Sequence, residues 1–248
     1  MKRALVITYY WPPAGGPGVQ RWLKFVTYFK DFGIEPVVFI PDNPHYPLQD
    51  KSIVSEIPEG IEIIRFPIKE PYGFAKIFSK KKTKQVSSGI ITNKNQSVLE
   101  KLLLWIRGNF FIPDARIGWV KPAVGFLKEY LAKNDMDIVI SSGPPHSLHL
   151  IGMALKEKLG IKWVADFRDP WTTIHYHQSL RLNKRAQKKH LKLESKVLNN
   201  SDLVVVTSAR TKKEFQNITS VPIEVISNGY DILEKIEPNL DAQFSIAH

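Results

Sequence analysis

The chain has 248 residues, 43% of them hydrophobic and none of them cysteine. This apolar share suffices for a packed core and excludes a disordered or collagen-like chain, while the lack of cysteine excludes disulfides and thiolate metal sites. A net charge of +11 favours nucleic acid, anionic membrane or phosphorylated substrates as partners. The length fits one large α/β domain or two small ones.

The N-terminus resembles the start of a signal peptide, with Lys2 and Arg3 before an apolar run. Trp11–Pro13 interrupts that run and no small-residue cleavage site follows, so a buried first strand is the better interpretation. No stretch reaches the roughly 18 uncharged apolar residues of a membrane-spanning helix. We therefore expect a cytoplasmic protein that is soluble or peripheral on the inner face of the membrane.

Short runs rich in valine, isoleucine and leucine alternate with segments of helical periodicity. Strands are predicted at Ala4–Thr8, Pro36–Ile40, Ile61–Phe66, Asp137–Ser141, Lys162–Phe167, Leu203–Thr207 and Ile223–Ile226. Helices are predicted at Val19–Phe29, Val120–Leu131, Leu148–Leu159 and, with a basic surface, at about Leu180–Leu198. This alternation predicts an α/β fold with a doubly wound, mostly parallel, Rossmann-like sheet of about seven strands.

Two segments interrupt the alternation and form a predicted insertion at residues 69–112. The first, Lys69–Gln96, contains the cluster Lys80–Lys84 and then Ser, Gly, Thr and Asn, which is typical of a mobile basic loop. The second is apolar and predicts a helix. One face of that helix would carry Leu99, Leu102, Leu103, Ile106 and Phe110, with Leu104, Trp105 and Phe111 outside it.

A loop rich in glycine and proline, Pro12–Gly18, joins the first strand to the first helix. In an open parallel sheet, ligands bind beyond the carboxyl ends of strands, where loops meet helix N-termini. Gly15 and Gly16 would let a phosphate approach backbone amides, and Arg21 follows on the helix. The pattern is neither Walker A nor G-x-G-x-x-G, and Pro17 removes an amide, so the loop could equally serve only as a tight turn.

Polar side chains also follow the fourth predicted strand. Ser141, Ser142 or His146 could cap the next helix or form a hydrogen bond with a sugar hydroxyl. His146 comes early enough to face the crevice and exchange a proton with a reacting hydroxyl. His149 falls beside a packed leucine face, so we interpret it as structural.

The fifth predicted strand ends in Asp166–Trp171. Arg168 could pair with Asp166 or Asp169 and leave an oriented charged group, and Trp171 offers a flat surface for a sugar ring. The alternative is an ion pair that only closes the loop.

Two further patterns carry less information. His175 and His177 have no nearby acidic residue or cysteine at ligand spacing, so no metal site is predicted. The cations of Arg181–Lys196 are typical of a solvated face, and without a recognition motif no nucleic-acid partner is expected. Combined with the apolar helix of residues 99–111, they favour an anionic membrane surface.

Five segments follow one another in an informative order: Tyr9–Gly16, Ile112–Trp119, Ser142–Ser147, Asp166–Trp171 and Ile226–Asp231. Over about the whole chain, this order resembles the N-terminal, acceptor-side domain of glycosyltransferase family 4. The family uses the GT-B fold, in which two Rossmann-like domains close over a nucleotide-sugar, and it transfers the sugar with retention of configuration.

The resemblance implies roles for single residues. Gly15 and Gly16 would lie at the donor phosphates and acceptor entrance, together with Arg21, and His146 would lie beside the donor sugar. From their positions at strand ends, we expect Ser142, Arg168, Asp169 and Trp171 to lie in the acceptor cleft. The interdomain hinge would contain Asn228, Gly229 and Asp231.

The resemblance also implies a domain at residues 1–230, followed at 231–248 by a linker and the start of a C-terminal domain that holds most nucleotide contacts. The expected function is retaining transfer from a nucleotide-sugar to a glycan or lipid-linked acceptor in cell-surface polysaccharide synthesis, with no cofactor or metal and no activity in the isolated chain. One alternative is a non-catalytic Rossmann-like module that docks on a partner or an anionic membrane. Another is an epimerase or dehydrogenase, against which the missing G-x-G-x-x-G and Tyr-x-x-x-Lys patterns argue.

Overall fold

The computed structural model describes residues 1–70, 98–174, 177 and 180–229. Seven strands form one sheet in which all neighbours are parallel, in the order β3-β2-β1-β4-β5-β6-β7. They are β1 (Lys2–Ile7), β2 (Ile34–Asp42), β3 (Glu62–Pro67), β4 (Ile138–Gly143), β5 (Lys162–Phe167), β6 (Leu203–Val206) and β7 (Ile223–Val225). The predicted fold class and all seven predicted strands are confirmed.

The helices of the described ranges are α1 (Pro17–Phe29), α2 (Val98–Phe110), α3 (Ile117–Leu131), α4 (Ser147–Leu159), α5 (Lys184–Asn200) and α6 (Ala209–Gln216). The four helices predicted outside the insertion are confirmed. Helix α5 begins later than predicted because the Asn183 side chain caps it by accepting a hydrogen bond from the Ala186 amide at 2.8 Å. Helix α6 was not predicted.

The sheet is covered on both faces by helices. Alternate residues of β1 enter different clusters: Ala4 and Val6 pack with α1, whereas Leu5 and Ile7 pack with α3 and α4. Strands buried on both faces need apolar residues at every position, which explains their continuous valine and isoleucine runs. The chain runs outward from β1 to β3 and then in the opposite direction from β4 to β7, so the order reverses between β1 and β4. A ligand crevice is expected at the carboxyl ends of these two strands.

The apolar helix of the predicted insertion is present as α2, but a different face packs inward. Leu104, predicted outside the apolar face, is buried, and Gly108 lies against Leu180. Leu102 and Phe110, predicted on that face, are exposed. Residue spacing identifies an apolar face, but the neighbouring element decides which side is covered. Residues 71–96 of the predicted basic loop lie outside the described residues. Among the helices that the structure does describe, none is both long and apolar enough to cross a membrane.

Candidate functional site

A buried ion pair lies under the crevice. One carboxylate oxygen of Asp166 accepts a hydrogen bond from Arg21 Nη2 at 2.9 Å, and the other accepts from Trp22 Nε1 at 2.9 Å and Ser142 Oγ at 2.8 Å. The Arg21 and Asp166 side chains are each 1% exposed. The pair therefore joins α1 to the ends of β4 and β5.

Arg21 also reaches the segment after β7. Its Nη1 donates to the carbonyl oxygens of Ile226 and Ser227 and to Asn228 Oδ1, at 2.9 to 3.2 Å. Arg21, predicted beside a phosphate, is thus a buried bridge in this structure. Ser142, predicted in the acceptor cleft, is likewise buried and bonded to the same network.

Arg168 is the cation that lies at the mouth of the crevice. It is half-buried, it donates through Nη2 to the Pro144 carbonyl, and its guanidinium contacts Gly18 in the first turn of α1. The guanidinium carbon lies 5.7 Å from the centre of the Tyr10 ring. Within the described part of the chain, Nε has no hydrogen-bond partner.

The electrostatics at Arg168 favour an anion. Burial lowers the pKa of its guanidinium, and the charges of Asp166 and Asp169 only partly oppose that effect. The carboxylate of Asp166 is already satisfied by its other partners. A phosphate oxygen placed here would meet both an incompletely compensated cation and the N-terminus of a helix.

The loop before α1 is organised by its glycines. The Gly15 amide donates to the Leu48 carbonyl at 3.1 Å, so it serves the turn. Gly16 caps α1 with a φ of 101°, a conformation that favours glycine. Gly16 and Gly18 therefore place the first turn of α1 beside Arg168.

His146 lies in the loop after β4, behind the crevice surface. Its ring stacks on Trp171 with centroids 5.0 Å apart, and neither ring nitrogen has a partner among the described residues. Burial, with neighbouring cationic groups, holds the pKa of His146 well below its ordinary value. His149, interpreted as structural, is buried with Nδ1 2.9 Å from Ser141 Oγ, and burial lowers its pKa to about 3. Both rings are neutral at pH 7.

Trp171 was predicted to offer a flat surface to a sugar ring. In this structure its side chain is buried, so that surface is not open. Its Nε1 donates to His190 Nδ1 at 3.1 Å, and the ring of His177 lies 4.7 Å from that of His190. Several causes, of which burial is the largest, lower the pKa of His190 to about 4. His175 lies outside the described residues, within which no group of three metal-ligating side chains could hold an ion. Asp169 is half-buried beside Arg168.

A second buried polar network was not predicted. Arg116 Nη2 donates to the Tyr9 hydroxyl at 3.1 Å, and its Nε lies 3.1 Å from Glu70 Oε1. The same Glu70 oxygen accepts from the Tyr9 hydroxyl at 2.9 Å, and its other oxygen accepts from the His45 amide at 2.6 Å. This network fixes the end of β1 that leads into the crevice. The sequence signals were the Tyr9–Gly16 and Ile112–Trp119 segments, which do not reveal that residues so far apart in the chain are partners.

The predicted hinge is described in part. Asn228 and Gly229 are exposed and follow β7, and Asp231 lies outside the described residues. The predicted boundary at residues 230 and 231 is therefore not tested.

The sheet order and the crevice at its reversal define a Rossmann-like α/β domain. Among solved structures, sucrose-phosphate synthase from Thermosynechococcus elongatus matches with 14% identity and a TM-score of 0.52, over 94% of this chain and 49% of that chain. Spinosyn rhamnosyltransferase SpnG with thymidine diphosphate matches at 11% identity and a TM-score of 0.42, over 84% of this chain and 45% of its own. TcCGT1 in complex with UDP matches at 9% identity and a TM-score of 0.49, over 98% and 53%.

The sequence profile of Glycosyltransferase Family 4 matches residues 84–233, which is more than half of the chain. The chain therefore belongs to this family, and the predicted resemblance is confirmed. The structural likeness to the synthase shows that the chain has a Rossmann-like α/β fold of the kind found in GT-B glycosyltransferases. The chain spans about half the length of these solved structures. No curated protein matches the sequence.

Proposed function

We propose that the chain is the N-terminal, acceptor-binding domain of a retaining glycosyltransferase. It transfers a sugar from a nucleotide-sugar to a glycan or lipid-linked acceptor in cell-surface polysaccharide synthesis. Family membership supports sugar transfer. The nucleotide-sugar is a substrate, and the proposal includes no cofactor or metal. A second domain supplies most nucleotide contacts, so the isolated chain is inactive because half a site cannot position donor and acceptor together.

The observation that carries this proposal is the position of Arg168. Its guanidinium contacts Gly18 in the first turn of α1 and bonds the Pro144 carbonyl after β4, so it lies between the ends of the two strands where the order reverses. Its buried Nε has no hydrogen-bond partner within the described part of the chain. A phosphate group of the donor or the acceptor fits that environment. Gly15 and Gly16 shape the loop that faces this phosphate, and the half-buried Asp169 lies next to it.

His146 has a different role in the proposal. Because burial keeps its ring neutral, it serves as a hydrogen-bond partner for a hydroxyl of the donor sugar and not as a cation. Its ring nitrogens are enclosed, so the loop Gly143–His146 has to shift for this contact. Ser142 and Trp171 support the cleft from behind, and Asn228, Gly229 and Asp231 connect the two domains.

Calorimetric titration of the 248-residue chain with pyrophosphate tests the crevice. The unsubstituted chain should bind, and Arg168→Gln should weaken binding at least about tenfold because a charge-assisted bond is worth about 1.5–3 kcal/mol. Arg210→Gln, which removes an exposed arginine on α6, is the charge-matched control and should bind normally. Equal binding by Arg168→Gln and the unsubstituted chain would refute the assignment.

A second assay addresses activity. Release of nucleotide from UDP-sugars and dTDP-sugars should be absent for the isolated chain and should appear when a C-terminal domain of the family is supplied. Transfer by the isolated chain at the rate of a full-length relative would contradict the claim of inactivity. Pyrophosphate binding without transfer by the completed protein would instead support a non-catalytic module.

A further inference from the structure

One face of α2 is apolar and open to solvent. Leu102, Trp105 and Phe110 are 50%, 38% and 68% exposed, and the rings of Trp105 and Phe110 meet edge to face at 5.7 Å. A surface helix normally turns charged residues outward and buries its apolar side. Within residues 101–110 of α2 the buried positions are Leu104 and Gly108, so the outward aromatic residues do not serve packing on the described part of the chain.

Helix α2 is fixed beside the start of α5. Gly108 lies so close to Leu180 and Leu182 that a side chain there would collide with both. Asn109 accepts a hydrogen bond from the Asn183 amide at 2.9 Å and donates to the Arg181 carbonyl at 3.3 Å. The apolar face of α2 and the surface of α5 are therefore held in one arrangement.

Helix α5 supplies positive charge. Its one acidic residue, Glu194, is buried and accepts a hydrogen bond from the Thr172 amide at 3.0 Å. Its cations are all exposed: Lys184, Arg185, Lys188, Lys189, Lys192 and Lys196. Among the described residues only Lys196 of these forms an ion pair, with Glu157 at 3.4 Å. Leu191 adds an exposed apolar side chain between them.

We propose that the outward face of α2 and the basic side of α5 form one docking surface for an anionic membrane. Trp105 and Phe110 enter the headgroup region, and the lysines of α5 contact lipid phosphates, a combination that holds interfacial helices on bilayers. At 13 residues, α2 is shorter than the roughly 20 needed to span a bilayer, so it lies along the surface. This inference does not depend on the sugar-transfer proposal, because none of these residues lies in the crevice.

Co-sedimentation of the 248-residue chain with vesicles tests the charge. Binding is expected with phosphatidylcholine vesicles that contain phosphatidylglycerol and should weaken as salt shortens the screening length of about 8 Å. The triple variant Lys188→Gln, Lys189→Gln, Lys192→Gln should bind about 100-fold more weakly, since each cation near an anionic surface contributes about fivefold.

The matched control changes three exposed lysines that lie away from this surface. The variant Lys2→Gln, Lys30→Gln, Lys162→Gln has the same net charge as the first triple variant and should bind far better. Lys2 and Lys162 begin strands, at the opposite end of the sheet from the crevice. Equal losses in the two triple variants would overturn the proposal, because net charge alone would then explain binding.

The apolar side needs its own variants. Phe110→Ser should weaken vesicle binding roughly tenfold, whereas Phe32→Ser, at an exposed phenylalanine after α1, should not. Brominated lipid should quench the fluorescence of the unsubstituted chain more than that of Trp105→Phe. Circular dichroism establishes that each variant is folded. The proposal is overturned if the unsubstituted chain does not bind the vesicles. It is also overturned if the chain has no lipid affinity and forms a dimer that Phe110→Ser converts to a monomer, because a second copy of the chain then covers this face.

Discussion

Lowering the pH from 8 to 5 is expected to destabilise the chain through its buried histidines, His149 and His190 among them. His146 acts in the same direction. Burial lowers the pKa of His149 to about 3 and, as the largest cause, that of His190 to about 4, against an ordinary value of 6.5. The folded chain therefore binds fewer protons than the unfolded chain below pH 6.5, so acid favours unfolding. The stabilisation is complete above about pH 7 and is lost as the pH falls toward these lowered values.

The magnitude follows from the 1.5 pH units between the ordinary pKa and pH 5. Each histidine loses about 2 kcal/mol at 1.36 kcal/mol per unit, so the two together lose about 4 kcal/mol of the free energy of unfolding. This is a large part of a typical total of about 5–15 kcal/mol. Glu194 acts in the opposite direction, because burial raises its pKa and its protonation in acid relieves the folded state.

Urea denaturation followed by tryptophan fluorescence at pH 8 and pH 5 measures this loss. His190→Gln keeps an acceptor for Trp171 and removes the titration, so its loss between the two pH values should be about 2 kcal/mol smaller. Leu191→Gln, at the exposed neighbouring position, should keep the full loss. The reasoning fails if His190→Gln and the unsubstituted chain lose the same free energy.

Two further substitutions test the crevice. Asp166→Asn breaks a buried ion pair and should reduce the free energy of unfolding in urea by about 3 kcal/mol, whereas Asp169→Asn should cost under about 1 kcal/mol; equal costs would contradict the described network. Gly18→Ala puts a methyl group into the Arg168 guanidinium and should weaken pyrophosphate binding in calorimetry at least about fivefold. Gly118→Ala, where the added methyl group meets nothing within 4 Å, is its control, and equal affinities would show that the position of Arg168 does not matter.

The strands could be predicted because a parallel strand is buried on both faces and its sequence shows this directly. Leu203–Val206 is such a run. Helix α6 escaped prediction because only Thr211 and Phe215 of its eight residues are buried, which leaves almost no apolar periodicity. Hydrophobic periodicity in a sequence reflects which side chains are buried, so a helix that buries few side chains cannot be predicted from it.

The candidate site could be predicted in location and only partly in detail. Spacing placed Ser142, Arg168 and Trp171 at strand ends, where the structure has them. It could not show that Trp171 turns inward to His190, which is 19 residues away, while Arg168 remains at the mouth. Which side chain faces a crevice depends on partners that local sequence does not identify.

The hydrogen bonds of Arg21 determine where the backbone after β7 can bend. Bending the backbone at Ile226 or Ser227 would break charge-assisted hydrogen bonds that contribute about 1.5–3 kcal/mol each. Gly229 forms no such bond within the described part of the chain. Helix α1 and the first residues after β7 are therefore expected to move as one body. A hinge motion of the residues that follow is expected to begin no earlier than Gly229. A change at the crevice end of α1 would thereby be transmitted to the residues Ile226, Ser227 and Asn228 that follow β7.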